Sequence, residues 1–185
     1  EHKTQLSLLA VPVWRGKPLY QSYLICSADR DATAIGDLAD DIHAFSDPDS
    51  NSGYLVTAAE LARQKSTPDK FFRRTIFTYS HFNVVRAVAA GLAQSGSVDG
   101  YVYEVLKETS PALIGGTRVV RASEWFGFPP TAVPRAAATS AKTFDLQQAL
   151  LNMHKDESGQ EVLAMLRLDR FAEQEPALFA SIEQN

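Results

Sequence analysis

Short apolar runs and stretches with helical spacing alternate along the first two thirds of the chain. The apolar runs, which predict strands, lie at Gln5–Val13, Tyr20–Ser27, Ile42–Ser46, Phe71–Thr78, Val98–Tyr103 and Thr117–Arg121. Helices are predicted between some of them, at Ile35–Asp41, Tyr54–Gln64 and Val84–Ala93. Because strands that alternate with helices usually form a parallel sheet with crossover helices, the pattern predicts an α/β fold with a parallel or mixed sheet and flanking helices.

The last third of the chain is predicted to be mainly helical. It opens with an aromatic, proline-rich loop at Ser123–Pro130 and a short strand at Thr131–Val133. Helical spacing then recurs at Phe144–His154, Ser158–Leu166 and Pro176–Glu183.

Composition narrows the class of protein without deciding its function. A chain of 185 residues with 45% hydrophobic residues can bury the core of one ordinary domain or of two small lobes. The net charge is −4 and the basic residues are scattered, which argues against nucleic acid as a partner. The single cysteine, Cys26, lies in an apolar run and is expected to be a buried structural thiol.

The segment Asp47–Tyr54 combines turn residues, hydroxyl groups and a glycine immediately before a predicted helix. A helix start carries backbone N–H groups without intrahelical partners, and Gly53 allows a ligand to approach the backbone closely. Ser50, Asn51 and Ser52 add polar side chains. The segment is therefore either an ordinary helix cap or an anion-binding site, and its own residues favour the cap.

A second loop of the same kind is Tyr79-Ser80-His81, which also follows a predicted strand and opens a helix. Ligands in such sheets sit beyond the carboxyl ends of the strands, so both loops are expected at one edge. There His81 either donates a hydrogen bond to an oxyanion or is a partly exposed cap residue. The predicted strand at Val98–Tyr103 brings Tyr103 and Glu104 to the same edge, although tyrosines at a strand end are as often plain packing residues.

No catalytic constellation stands out in the sequence. The histidines and carboxylates lack metal-ligand spacing, and no cysteine–histidine pair, serine triad or glycine-rich nucleotide loop is present. We therefore expect a binding site that needs no metal or other cofactor. The alternative, an enzyme that uses His81 as a base on a phosphorylated substrate, is less favoured.

Five segments in order carry a resemblance to a known family. They are Leu19–Ile25, Ser46–Val56, Asp69–Phe72, Ser80-His81 and Val98–Gly100. The chain resembles the phosphate/phosphonate-type periplasmic substrate-binding proteins of ABC transporters over nearly its whole length. The most specific element is the Asp-Pro-x-Ser-x-Ser-Gly-aromatic-Leu-Val run followed some thirty residues later by His81.

The resemblance implies a type II periplasmic-binding-protein fold whose two lobes close around a tetrahedral oxyanion. It implies ligand contacts from the run Ser50 to Tyr54 and from Ser80 and His81, while Tyr20 lines the pocket. Tyr103 and Glu104 complete the predicted site, with Glu104 at or near a carboxylate position that contacts an amino group on the ligand. The match departs from the family in two places. Asn51 replaces the usual threonine, and no acid lies in 126–130 where aminophosphonate binders place one, which weakens the expectation of an amino-bearing ligand.

Family members carry a further α/β stretch before the strand that begins here at Gln5. The resemblance therefore implies one complete lobe at 33–116 and a partial first lobe, with hinge segments, at 1–32 and 117–185. The hinges are expected near Ala28 and Arg121. Apolar surface on the incomplete lobe predicts a homodimer or contact with a missing segment.

Two roles fit the resemblance. The first is a periplasmic or extracytoplasmic solute-binding protein that delivers phosphate, phosphite or a phosphonate to an ABC permease. The second is a ligand-binding sensor domain fused to a membrane signalling protein of the histidine kinase type.

Overall fold

The computed structural model of the protein describes residues 5–182. The strands are β1 Leu6–Val13, β2 Leu19–Tyr20, β3 Ser22–Ser27, β4 Ile42–Phe45, β5 Arg74–Phe77, β6 Ser95–Asp99, β7 Thr117–Ala122, β8 Phe126–Gly127, β9 Thr131–Pro134 and β10 Arg170–Ala172. The α-helices are α1 Val56–Arg63, α2 Pro68–Phe71, α3 His81–Ala89, α4 Gly100–Thr109, α5 Pro111–Ile114, α6 Ala141–Asn152 and α7 Glu157–Leu166. Shorter helical turns lie at Ile35–Leu38, Asn51–Leu55, Arg135–Ala137, Met153–Lys155 and Pro176–Phe179.

The chain divides into two compact units. The central unit is Tyr20–Trp125, and the flanking unit comprises residues 5–19 and 126–182 of the described chain. This division differs from the predicted lobes, which placed the boundaries at 32/33 and 116/117. The reason is that β3 pairs with both β6 and β7, so residues on either side of the predicted boundaries belong to one sheet.

The central unit contains a five-stranded mixed sheet in the order β5-β4-β6-β3-β7. Strand β4 is parallel to β5 and to β6, whereas β3 is antiparallel to β6 and β7. Neighbouring residues of β3 and β4 enter different core clusters, because successive side chains of a strand point to opposite faces. Ile25 and Ala44 pack in the cluster that contains α3, while Cys26 and Phe45 pack in the other. The mixed sheet with flanking helices confirms the predicted fold class.

The flanking unit is built on a three-stranded antiparallel sheet in the order β10-β1-β9. Strand β1 is the middle strand, and its residues Leu9, Val11 and Val13 are buried. Helix α6 is fixed to it where the Gln147 side chain donates a hydrogen bond to the Leu9 carbonyl at 2.9 Å. Within residues 5–182, no helix has the length and apolar character that crossing a membrane requires.

Two predicted strands are partly helical in the structure. The strand predicted at Phe71–Thr78 begins only at Arg74, because α2 occupies Pro68–Phe71 with proline at the start of the helix. The strand predicted at Val98–Tyr103 ends at Asp99, whose carboxylate accepts the backbone N–H groups of Tyr101 and Val102 and so caps α4. Tyr103 and Glu104 therefore lie on a helix.

Other boundaries shift by a few residues. Helix α6 begins before the predicted Phe144, and α7 is capped by Asp156, whose side chain accepts the Gly159 N–H, instead of by Ser158. The final predicted helix is a short turn at Pro176–Phe179. Its predicted last residue, Glu183, lies outside the described residues.

A buried polar chain ties α1 to the middle of the central sheet. Thr57 on α1 bonds Ser97 at 2.8 Å, Ser97 bonds Nε2 of His43 at 2.9 Å, and Nδ1 of His43 bonds Ser95 at 2.8 Å. Burial lowers the pKa of His43 to about 3, so the ring is neutral at physiological pH. The chain fixes α1 relative to β4 and β6.

Candidate functional site

Three strand ends meet at one edge of the central sheet, because β4, β5 and β6 run parallel. At each end a residue in extended conformation begins a helical segment: Ser50 after β4, Ser80 after β5, and Asp99, the last residue of β6. Helix starts present backbone N–H groups and partial positive charge. This edge therefore gathers hydrogen-bond donors for an anion.

A pocket of about 320 Å³ opens between the first two of these loops. Its walls are formed by Ser46, Asp47, Asp49, Ser50, Tyr79, Ser80 and His81. Three of the predicted site residues, Ser50, Ser80 and His81, are thus brought to one cavity within the central unit.

The segment after β4 is a π-helical turn, Asn51–Leu55, that continues directly into α1. The wide turn is closed by the Leu55 N–H, which donates to the Ser50 carbonyl at 3.0 Å. The Ser50 hydroxyl oxygen accepts the Gly53 N–H at 3.1 Å, as a helix cap does. The two interpretations of this segment are therefore compatible, since Ser50 caps the turn and also lines the pocket.

Ser46 and Gly53 fit together at the base of this turn. A Cβ atom on Gly53 would lie 1.8 Å from the Ser46 hydroxyl oxygen and 2.8 Å from its Cβ, so only glycine fits beside this serine. Ser46 is 2% exposed and lines the pocket, and its hydroxyl has no hydrogen-bond partner among residues 5–182. The sequence analysis missed Ser46, because an isolated serine at the end of a strand carries no distinctive signal.

His81 is oriented by the third strand end. Its Nδ1 atom accepts the backbone N–H of Asp99 at 3.2 Å, so in the neutral ring the proton lies on Nε2. Burial lowers the pKa of His81, and the nearby Asp47 carboxylate partly opposes that shift. His81 is therefore a neutral hydrogen-bond donor at the pocket wall.

Asp99 is a supporting residue that the sequence analysis did not select. Its buried carboxylate accepts the N–H groups of Tyr101 at 2.8 Å and Val102 at 3.3 Å. Burial raises the pKa of Asp99 to about 6, although these two bonds and one from the Ser52 side chain act in the opposite direction. Aspartate is a favoured helix-cap residue. The aromatic and β-branched residues that follow Gly100, however, are typical of a strand, which is why a strand was predicted here.

The π-helical turn is held in place by hydrogen bonds that involve Tyr20, Asn51 and Ser52. The Asn51 side chain donates to the Tyr20 hydroxyl at 3.0 Å, and the Ser22 hydroxyl donates to the Ser52 carbonyl at 2.6 Å. Burial raises the pKa of Tyr20, and the bond from Asn51 opposes the shift. These contacts fix the turn against β3 and the segment before it.

The remaining predicted site residues do not line the pocket. Tyr103 is 2% exposed and bonds Thr117 at 3.0 Å inside the core. The Glu104 carboxylate accepts a hydrogen bond from Lys107 at 2.7 Å on the surface of α4. Tyr54 packs its ring on Phe45, with ring centroids 5.0 Å apart. The structure thus places Tyr54 and Tyr103 in packing contacts and Glu104 in an ion pair.

The site and the fold agree with a family assignment from the sequence. Residues 1–179 match the family of ABC transporter, phosphonate, periplasmic substrate-binding proteins, so the chain belongs to that family. The resemblance predicted in the sequence analysis is confirmed.

Solved structures show the same fold. The chain is similar to a binding protein component of an ABC phosphonate transporter from Pseudomonas aeruginosa, with TM-score 0.85, 24% identity, and coverage of 97% of this chain and 61% of that one. It is also similar to PhnD1 from Prochlorococcus marinus, solved in complex with methylphosphonate, with TM-score 0.84, 17% identity, and coverage of 97% and 70%.

A histidine kinase sensor domain with similarity to periplasmic binding proteins is less similar, with TM-score 0.56, 16% identity, and coverage of 90% of this chain and 65% of that one. No curated protein gives a significant match. The chain spans 61% of the length of the Pseudomonas aeruginosa protein.

Proposed function

We propose that this protein binds a phosphonate-type oxyanion and delivers it to an ABC permease outside the cytoplasm. The observation that carries the proposal is the pocket at the joint carboxyl edge of β4 and β5, where His81 is held as a neutral donor. Family membership supports the same ligand class and the periplasmic location.

The pocket offers hydrogen-bond donors to an anion with several oxygen atoms, and these donors must outweigh the Asp47 and Asp49 carboxylates, which also line it. Nε2–H of His81 can donate to one oxygen, and Ser80 lines the same cavity. The starts of the π-helical turn and of α3 add partial positive charge, which strengthens hydrogen bonds to an anion. Since a neutral histidine contributes no formal charge, binding depends on these donors and dipoles together.

The direct test is calorimetric titration of the full-length protein with phosphate, phosphite, methylphosphonate and sulfate. We expect saturable binding of at least one of the phosphorus-containing anions and weaker binding of sulfate. Absence of binding for all four anions contradicts the proposal. A variant that lacks the His81 imidazole, titrated in parallel, separates binding in this pocket from binding elsewhere.

A sensor domain is the second candidate, supported by the likeness to the histidine kinase sensor domain. Its TM-score of 0.56 is lower than the 0.85 and 0.84 of the two phosphonate-related proteins, so the transport role is favoured. The natural reading frame distinguishes the two roles, because a fused membrane span and kinase domain indicate sensing. Homodimer formation also stays a prediction, which size-exclusion chromatography tests.

An enzyme that uses His81 as a base fits the geometry less well. A base must have an unprotonated nitrogen facing the substrate, whereas the Nδ1 atom of His81 is occupied by the Asp99 N–H and Nε2 carries the proton. Among residues 5–182, no group of three or more histidine, cysteine or acidic side chains is placed to hold a metal ion. The arrangement favours hydrogen-bond donation to a bound anion.

A further inference from the structure

Tyr79 adopts an unusual backbone conformation at the mouth of the pocket. It follows β5, its φ angle is +55°, and it lines the cavity with 74% of its surface exposed. Among residues 5–182, the other non-glycine residues with positive φ are arginine, aspartate and lysine, so Tyr79 is the aromatic exception. The left-handed region costs a bulky residue about 1–3 kcal/mol, and such strain is concentrated at functional sites.

Hydrogen bonds on both sides of Tyr79 hold this conformation. The Thr78 N–H donates to the Phe45 carbonyl at 2.9 Å, and the Thr78 hydroxyl donates to the Ser80 carbonyl at 3.0 Å. The Asn83 side chain donates to the Thr78 carbonyl at 3.3 Å, across the start of α3. Glycine could adopt the same backbone conformation without steric cost. A tyrosine at this position therefore brings no advantage for folding.

The composition of the pocket wall indicates what the tyrosine does. Of the seven residues that line the cavity, six are serine, aspartate or histidine, and Tyr79 alone combines its hydroxyl with a large apolar ring. A phosphonate needs both kinds of contact, because its oxygens take hydrogen bonds whereas the carbon bonded to phosphorus cannot. Inorganic phosphate has an oxygen at that fourth position and gains nothing from an aromatic wall.

We propose that Tyr79 is a specificity-determining residue, whose ring packs against the organic substituent of a bound phosphonate. This inference rests on the proposed function and extends it from oxyanions in general to organophosphonates with an apolar substituent. Contact between the ring and the substituent removes apolar surface from water, which favours such ligands over phosphate.

The test is calorimetric titration of the parent protein and of the Tyr79→Gly and Tyr79→Phe variants with phosphate, methylphosphonate and phenylphosphonate. We expect the parent to bind one or both phosphonates more tightly than phosphate. Tyr79→Gly should reduce the preference for phenylphosphonate over phosphate by about tenfold, the effect of losing roughly 1.4 kcal/mol of contact. Tyr79→Phe should keep the preference, because the ring remains.

Phe82→Ala is the matched control, since Phe82 is an exposed aromatic residue at the start of α3 that does not line the pocket. Its ratio of phosphonate to phosphate affinity should equal that of the parent. Thermal unfolding of Tyr79→Gly should show a midpoint no lower than that of the parent, which excludes misfolding as the cause of a changed ratio.

The outcomes separate the two proposals. A parent protein that binds none of the three anions overturns this inference, and the proposed function falls with it if phosphite and sulfate are not bound either. A parent that binds phosphate at least as tightly as both phosphonates, or a Tyr79→Gly variant that keeps the parent's ratio, overturns this inference alone.

Discussion

The Nδ1 atom of His81 accepts the backbone N–H of Asp99 at 3.2 Å, which joins the start of α3 to the end of β6. The contact determines the chemistry of the imidazole, because it leaves the proton on Nε2. Protonation of Nδ1 would break the contact, and burial already lowers the pKa of His81. The end of β6 therefore affects the pocket by fixing the tautomer of His81, although Asp99 itself does not line the cavity.

Replacing His81 with alanine should weaken anion binding by about 1.5–3 kcal/mol, the usual range for a hydrogen bond to a charged group. Calorimetry with methylphosphonate, or with whichever anion the parent binds most tightly, measures the change. Phe82→Ala, one residue further along α3, is the control and should leave the affinity within about twofold, roughly 0.4 kcal/mol. Equal affinities for His81→Ala and the parent would show that the imidazole does not contact the anion.

Replacing Gly53 with alanine should destabilise the protein by about 1–3 kcal/mol, the usual cost of overpacking a buried site. The new Cβ would lie 1.8 Å from the Ser46 hydroxyl oxygen and 2.8 Å from the Ser46 Cβ. Urea unfolding measures the loss, and anion affinity should fall as well because the π-helical turn must shift.

The double variant Ser46→Gly, Gly53→Ala tests the cause. Removing the Ser46 side chain eliminates the two closest contacts, so the double variant should recover much of the stability lost in Gly53→Ala. Strictly additive losses would indicate that the clash with Ser46 is not the source of the effect.

Tyr20 and Asn51 should show coupled effects on stability. Tyr20→Phe removes the hydroxyl that accepts the Asn51 side chain at 3.0 Å, and Asn51→Ala removes the donor. Each change should cost about 0.5–1.5 kcal/mol, the usual net value of one hydrogen bond. In a double-mutant cycle by urea unfolding, the two costs should sum to more than the cost of the double variant. An additive cycle would mean that the pair does not couple the turn to Tyr20.

The loops of the pocket could be predicted from the sequence because local rules suffice for them. Polar turn residues before helical spacing indicated the segments at Ser50 and at His81, and the alternation of strands and helices indicated that both follow strands of one sheet. Asp99 could not be predicted as a supporting residue, since Gly100–Tyr103 has the β-branched and aromatic composition of a strand. The burial that raises its pKa is a tertiary effect.

The division into units depends on long-range pairing that the sequence pattern does not specify. Strand β3 pairs with β6 and β7, which lie about seventy to one hundred residues further along the chain. Local patterning predicts that each of these segments is a strand, but not which strands are neighbours. The conformation of Tyr79 could not be predicted for a similar reason. Its left-handed backbone is set by hydrogen bonds that the side chains of Thr78 and Asn83 make around it.

Asp99 should give the stability of the protein a distinctive dependence on pH. Its native pKa of about 6 lies above the ordinary 3.8, so between these values the native state holds a proton that the unfolded state has lost. The carboxyl group therefore makes its full contribution to folding below about pH 4, and that contribution is lost as the pH rises through about 6. Asparagine caps a helix nearly as well and carries no charge.

The stability of Asp99→Asn relative to the parent should consequently increase by about 1–3 kcal/mol between pH 4 and pH 7, measured by urea unfolding at several pH values. The difference between the two proteins cancels the contribution of other groups such as His43. Asp37→Asn is a control of opposite sign, because N–H groups of Thr33 and Ala34 lower the pKa of the exposed Asp37 carboxylate. Its relative stability should fall as the pH rises through the range below about 3.8 and should stay constant between pH 4 and pH 7. A pH-independent difference for Asp99→Asn would show that burial does not destabilise the charged form of the carboxylate. The role of Asp99 beside His81 would then be confined to capping α4.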